Sequence, residues 1–236
     1  MLMDNNKPEL TVALAKGRLA ERSIALFAGA GVNIGDAGDI GRRLVFDTPD
    51  GNIRFILVKP SDVPTYVDYG VADMGVAGKD TLLEENRALY EMLDLGFGKC
   101  RLCIAGFATQ KRESKAIHES SLPIPPRGRL IGAGFRVATK YPNIARRVYE
   151  ARGQDIEVIP LSGSIELGPL VGLSDVILDI VESGSTLREN GLVVLEEICQ
   201  VSARLVVNRV SLKTRNTRIR ALIEGISAQI QTEGKA

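Results

Sequence analysis

What this chain has little of narrows its possible chemistry. Its 236 residues hold three cysteines, one histidine and no tryptophan. Three cysteines are an odd number and too few for a disulfide framework. Cys100 and Cys103 form a C-x-x-C, but one further cysteine and one histidine do not complete a set of zinc ligands. In a strand, residues three apart also point to opposite faces. No apolar run approaches the ~18 residues of a spanning helix. The opening stretch carries Asp4, Lys7 and Glu9 and lacks an apolar signal region. A cytoplasmic protein with no membrane partner is the expectation. Thirty basic and 29 acidic side chains leave a net charge of +1. The whole molecule therefore has no field to draw in nucleic acid, and any anionic ligand must be held by a local cluster.

What is present is ordinary for a globular chain: 44% apolar and 25% charged residues. Short β-branched runs alternate with helical stretches, the pattern of an α/β protein. Strands are expected at 9–15, 54–59, 73–77 and 102–108, with helices at 19–29, 62–69 and 79–86. Asp62 is the expected cap of the second helix, with Pro64 in its first turn. Residues 110–130, with Pro123, Pro125, Pro126 and His118, read as a surface excursion. Beyond it, strands are expected at 135–139, 156–160, 175–181, 192–197 and 202–212. Helices are expected at 143–151, 165–171, from about 186, and at 215–230. No internal sequence repeat stands out. The block after about residue 105 carries its own βαβαβ material. This predicts a discontinuous first lobe, 1–104 plus 187–236, a second lobe, 105–186, and a cleft between them.

The densest cluster of candidate groups runs from Glu166 to Leu187. An apolar strand bearing Asp175 and Asp179 breaks into Ser183, Gly184, Ser185 and Thr186, and a helix follows. Unpaired first-turn N–H groups, the helix dipole and hydroxyl donors suit an anion. Gly184 lets the backbone approach a phosphate closely. Asp179 is placed to accept hydrogen bonds from sugar hydroxyls beside it. The plainer reading of the same residues is a helix N-cap with solvated acids.

Glu166, Gly172, Ser174, Ile177, Asp179, Ile180, Ser183, Gly184, Thr186 and Leu187 fill every fixed position of a signature. By it the chain resembles the ATP phosphoribosyltransferases, which catalyse the first step of histidine biosynthesis. The segments at 13–19, 59–80, 98–105, 136–146 and 203–213 resemble further blocks of that family, so the likeness covers most of the chain.

The resemblance implies two α/β lobes of the periplasmic-binding-protein type with the active site between them. It implies a pentosyltransferase that joins adenine N1 of ATP to C1 of phosphoribosyl pyrophosphate, releasing pyrophosphate, with Mg²⁺ accompanying the substrates and no direct protein ligand to the metal. Residues Ser183, Gly184, Ser185, Thr186 and Leu187 would wrap the 5-phosphate. Asp179 would bind the ribose hydroxyls, and Asp175 would help to order the loop. Lys16 and Arg18, with Gly17 between them, would meet pyrophosphate or ATP phosphates; together with Asp179 they are the catalytic candidates. Arg43 and Lys59 are further cations for that patch, and Glu166 belongs to the signature without an assigned role. Asp73 and Asp80 read as helix caps or substrate contacts. The 49 residues after Leu187 leave no room for the family's C-terminal regulatory domain. That places the chain with the short form, which works with a histidyl-tRNA-synthetase-like regulatory subunit in a hetero-octamer. Two other readings of the fold are a non-enzymatic anion- or solute-binding module and a phosphoribosyltransferase with another acceptor base. His118 carries no catalytic expectation. Gly29, Gly31 and Gly35 follow a helix instead of a strand, so they make no dinucleotide loop.

Overall fold

A computed structural model describes residues 8–35, 43–109 and 134–233. Along the chain come β1 (Leu10–Ala15), α1 (Arg18–Gly29), β2 (Val45–Asp47), β3 (Ile53–Val58), α2 (Val63–Asp68), β4 (Met74–Gly78) and α3 (Lys79–Glu85). Then follow β5 (Tyr90–Asp94), β6 (Cys100–Phe107), β7 (Phe135–Thr139), α4 (Pro142–Glu150), β8 (Ile156–Pro160) and α5 (Leu167–Leu170). The rest is β9 (Val176–Val181), α6 (Ser185–Glu189), β10 (Leu192–Val201), β11 (Ala203–Val207), α7 (Arg209–Thr214) and α8 (Asn216–Glu233).

Two compact units result: Met1–Gly98 with Ser202–Ala236, and Lys99–Val201. The boundaries expected at 104/105 and 186/187 are corrected to 98/99 and 201/202. The reason is strand pairing. β6 and β10 run antiparallel along each other from Phe107 opposite Leu192 to Cys100 opposite Val201, so both strands belong to the second unit from end to end. The excursion at 110–130 and His118 lie outside the described residues.

In the first unit the sheet order is β2-β3-β1-β4-β11-β5. β1 pairs in parallel with β3 on one side and β4 on the other. Its side chains alternate between faces. Leu10, Val12 and Leu14 pack with Ala20, Ile24 and Phe27 of α1 and with Ile219 and Ile226 of α8. Ala13 and Ala15 face Val63 and Val67 of α2. Helices thus cover both faces of β1, and the chain leaves it first toward β3 and then back past it to β4. In open α/β sheets that reversal point, at the strands' carboxyl ends, is where ligands bind.

The second unit has the order β10-β6-β9-β7-β8. Here β7 pairs in parallel with β8 and β9, and β6 runs antiparallel beside β9. Cys103, Ala105, Ala138, Ile177, Val181 and Leu187 share one core cluster of this unit.

Four local expectations are revised. Asp62 makes no side-chain cap bond; its carboxylate accepts from Ser61 Oγ at 2.9 Å. Residues 202–212 are not one strand. Asn208 ends β11, and its side-chain oxygen accepts from the N–H groups of Val210 and Ser211 at 2.8 and 2.9 Å, which starts α7. The strand begun at Leu192 runs on to Val201. β2 and β5 were not expected: both carry mostly exposed side chains, and β2 has three residues.

Candidate active site

The signature segment builds one end of the second unit. β9 carries Asp179 opposite Cys103 of β6, and the chain then leaves the sheet through Glu182, Ser183 and Gly184 into α6. Gly184 sits at φ 72°, ψ 12°, left-handed backbone that costs an L-residue roughly 1–2 kcal/mol. Glycine is therefore what permits the corner. Ser183 Oγ lies 3.0 Å from Ser185 Oγ and accepts from the Ser185 N–H at 3.3 Å. From below, Arg188 Nη1 donates to the Ser183 carbonyl at 3.0 Å, and Asn190 Nδ2 donates to the Thr186 carbonyl at 2.9 Å.

This loop, Asp179 and Glu166 line one cavity of about 270 Å³ with Cys103, Ala105 and Ile177 on its sheet side. Asp179 is half-buried, and its Oδ1 accepts from the Ile180 N–H at 2.8 Å. Glu166, also half-buried, stands just ahead of α5 and makes no cap bond there. Burial pushes the Cys103 thiol up from its ordinary range, so it stays a neutral, fully covered part of the wall. A cavity lined by the carboxylates of Glu166, Asp179 and Glu182 together with the loop's hydroxyls and N–H groups offers acceptors for sugar hydroxyls and donors for a phosphate.

Asp175 is not part of this arrangement, contrary to expectation. It precedes β9, a strand length of about 20 Å from the loop, and is 5% exposed. Its Oδ2 accepts from the Arg136 N–H at 2.7 Å while its own N–H donates to the Arg136 carbonyl at 2.9 Å. It clamps β9 to β7.

The cationic candidates lie in the first unit. The Lys16 N–H donates to the Val58 carbonyl at 2.9 Å, which fixes the β1 turn beside the end of β3. Because Ala15 pairs with Val58, Lys16 and Lys59 follow at neighbouring carboxyl ends. Lys16, Gly17 and Arg43 line a second, more apolar cavity of about 840 Å³ against α1. Arg18, the exposed first residue of α1, and Lys59 do not line it. Asp73, expected to cap a helix or touch substrate, is instead engaged by neighbouring protein groups. It is 5% exposed and accepts from Thr11 N–H at 2.8 Å, Ser211 Oγ at 2.7 Å and Arg215 Nη1 at 2.7 Å.

The loop braces, Arg188 and Asn190, were not singled out from sequence. Their signal was spacing: they lie five and four residues, about one helical turn, after the residues whose carbonyls they hold, Ser183 and Thr186. Among the described residues no three His, Cys, Asp or Glu side chains gather into a metal site, and no helix is long and apolar enough to cross a membrane.

Comparison with known proteins bears on the same segments. A family model described as ATP phosphoribosyltransferase (HisG) matches residues 59–228, which include the whole loop segment. The ATP phosphoribosyltransferase of Ruminiclostridium cellulolyticum is 49% identical over 226 residues, 95% of this chain and 99% of that protein. That of Lachnoclostridium phytofermentans is 50% identical over 228 residues, 96% and 99% of the two chains. A solved structure, the ATP phosphoribosyl transferase (HisG:HisZ) complex from Thermotoga maritima, superposes with a TM-score of 0.76 at 34% identity. It covers 95% of this chain and 98% of that one. With the signature complete and the likeness running from end to end, the chain belongs to the ATP phosphoribosyltransferase family.

Proposed function

We propose that the chain transfers the phosphoribosyl group of phosphoribosyl pyrophosphate to adenine N1 of ATP, the first step of histidine biosynthesis. The N1 lone pair forms the new bond to C1 while the C1–oxygen bond to pyrophosphate breaks, and pyrophosphate leaves with that electron pair. No proton need be removed before attack, so a chain with one histidine is no worse equipped for it. Positioning and electrostatic stabilisation of an oxocarbenium-like state carry the rate.

One observation carries this reading: Glu166, Asp179 and residues 183–187, separated in sequence, share a single cavity. Thr186, the serine hydroxyls and the loop N–H groups hold the 5-phosphate. Asp179 and Glu166 accept from the ribose hydroxyls. Lys16, with Gly17, Arg18, Arg43 and Lys59, meets the pyrophosphate or ATP phosphates; the β1–β3 register supports pairing Lys16 with Lys59. Asp175 acts only through the sheet. Mg²⁺ accompanying the substrates would neutralise the leaving pyrophosphate. The chain works in the cytoplasm as the short form, with a histidyl-tRNA-synthetase-like regulatory subunit in a hetero-octamer; the HisZ chain in the Thermotoga complex supports this partner.

The test is product analysis with ATP, phosphoribosyl pyrophosphate and Mg²⁺, with and without the regulatory subunit. Formation of N1-(5-phosphoribosyl)-ATP and pyrophosphate is expected, and Asp179→Asn should weaken phosphoribosyl pyrophosphate binding. Transfer to a different base would make this another phosphoribosyltransferase. Binding of the sugar phosphate with no transfer to any acceptor would make it a binding module.

A further inference from the structure

We infer that Arg188 is a positioning residue for the proposed reaction: it holds the Ser183 carbonyl on the outer side of the loop and so turns the Gly184 N–H toward the sugar phosphate. The inference rests on the reading of this loop given above.

The argument starts from the peptide between Ser183 and Gly184. A trans peptide is planar, so its C=O and N–H point in opposite directions, and no peptide bond of the described chain is cis. Arg188 Nη1 donates to that carbonyl at 3.0 Å. The guanidinium lies against the corner itself, for a Cβ built on Gly184 would stand 3.3 Å from Nη1. Residues 182–187 line the cavity, whereas Arg188 does not. The carbonyl is therefore drawn away from the cavity, and the N–H on the far side of the same peptide is directed into it. Among the described residues that N–H takes no acceptor, which leaves it available to a ligand.

Without the arginine, the left-handed corner at Gly184 could rotate this peptide. Glycine adopts the alternatives at little cost. The flipped peptide would aim its carbonyl oxygen, the negative end of the dipole, at a phosphate. Arg188 thus acts twice on one bond: it removes an unfavourable acceptor from the site and presents a donor there. Sequence comparison within the chain points the same way. The first unit has a related strand-to-helix junction, Thr81-Leu82-Leu83 against Thr186-Leu187-Arg188, and there leucine occupies the place of the arginine.

The test uses the full chain with Mg²⁺ and phosphoribosyl pyrophosphate, and compares wild type with Arg188→Ala, Arg188→Lys and Thr186→Val. Three quantities are read: the dissociation constant, the Michaelis constants for both substrates, and the amide signal of ¹⁵N-labelled Gly184. Arg188→Ala should weaken phosphoribosyl pyrophosphate about 10- to 100-fold, the range of one hydrogen bond to a charged group. The Michaelis constant for ATP should stay unchanged. The ligand-induced shift of the Gly184 amide, present in wild type, should disappear, and Arg188→Lys should recover part of both effects. Thr186→Val should weaken binding yet keep the Gly184 shift. An Arg188→Ala protein with wild-type affinity, or with weakened affinity but an intact Gly184 shift, overturns the inference. If Thr186→Val also binds normally and the wild-type amide does not move, the loop reading itself falls. Arg188 is exposed, so thermal unfolding of each variant should match wild type; if the alanine variant does not fold, Arg188→Gln carries the same comparison.

Discussion

In the first unit the chain enters β4 through Gly70-Val71-Ala72-Asp73; in the second it enters β9 through Gly172-Leu173-Ser174-Asp175. Both glycines take left-handed backbone, φ 69° and 74°, and end the preceding turn. Both aspartates are 5% exposed. Each exchanges hydrogen bonds with the backbone of the neighbouring parallel strand, Asp73 with Thr11 of β1 and Asp175 with Arg136 of β7. The sheets agree as well: β3-β1-β4 in one unit matches β8-β7-β9 in the other.

The units part company after that third strand. Thr81 follows Asp73 by eight positions, but Thr186 follows Asp175 by eleven. In the first unit Gly78 stays extended and Asp80 folds back against it, its carboxylate filling the place a Gly78 Cβ would take. An acid there repels anions. In the second unit the extra residues lift the chain off the sheet, Gly184 turns left-handed, and Ser185 stands where Asp80 would be. One scaffold thus serves twice, and a short insertion with an acid-to-hydroxyl exchange separates a closed junction from an anion loop.

The largest expected effect tests that exchange directly. Ser185→Asp should cost several kcal/mol in phosphoribosyl pyrophosphate binding through like-charge contact, with thermal unfolding unchanged. Calorimetric affinity near wild type would break the comparison.

Next come the two clamps. Asp73→Ala should lose about 3 kcal/mol of stability in urea, because a buried acceptor serving Thr11, Ser211 and Arg215 disappears. Asp175→Ala should lose about 2 kcal/mol. In both folded variants the sugar substrate should bind normally; a binding defect in Asp175→Ala would return that residue to the site.

Thr186→Val should weaken phosphoribosyl pyrophosphate by about 1–3 kcal/mol while Thr81→Val leaves binding untouched. Equal effects from both would erase the functional difference between the junctions.

The smallest effect concerns the helices that follow β1 and β7. Phe27 of α1 and Tyr149 of α4 are both covered, but the Tyr149 hydroxyl is buried without a partner among the described residues. Burial holds it well above the ordinary tyrosine value of 10.0. A folded-state pKa raised above the unfolded one makes stability fall as pH climbs past 10. Tyr149→Phe should be neutral within about 1 kcal/mol at pH 7 and should flatten the alkaline loss in a pH series of urea melts.

Most of the anion loop was legible in sequence because it is local: strand, corner and helix are consecutive, so Asp179, Ser183, Gly184 and Thr186 could be ordered without knowing any distant contact. β7 and β8 were legible for the same reason, as short apolar runs between clear breaks. The stretch at 202–212 misled because Val206, Val207 and Val210 favour a strand, while the bonds of Asn208 decide for a helix. β5 and β2 were hidden because exposed edge strands need no apolar alternation. The relation between the units was hidden too, since a glycine, a small residue and an aspartate are too common to mark a repeat until the sheets align them.

By itself, then, the sequence determined the chemistry of the loop and its family, because a dense signature constrains backbone and donors over one continuous segment. Tertiary contacts alone brought Glu166 to Asp179, tied Asp175 to Arg136 of β7, and set Lys16 at the end of β1 beside the end of β3, with Arg43 near its turn. Those placements follow from strand register, set by hydrogen bonds between residues far apart in the chain, and no local pattern encodes them.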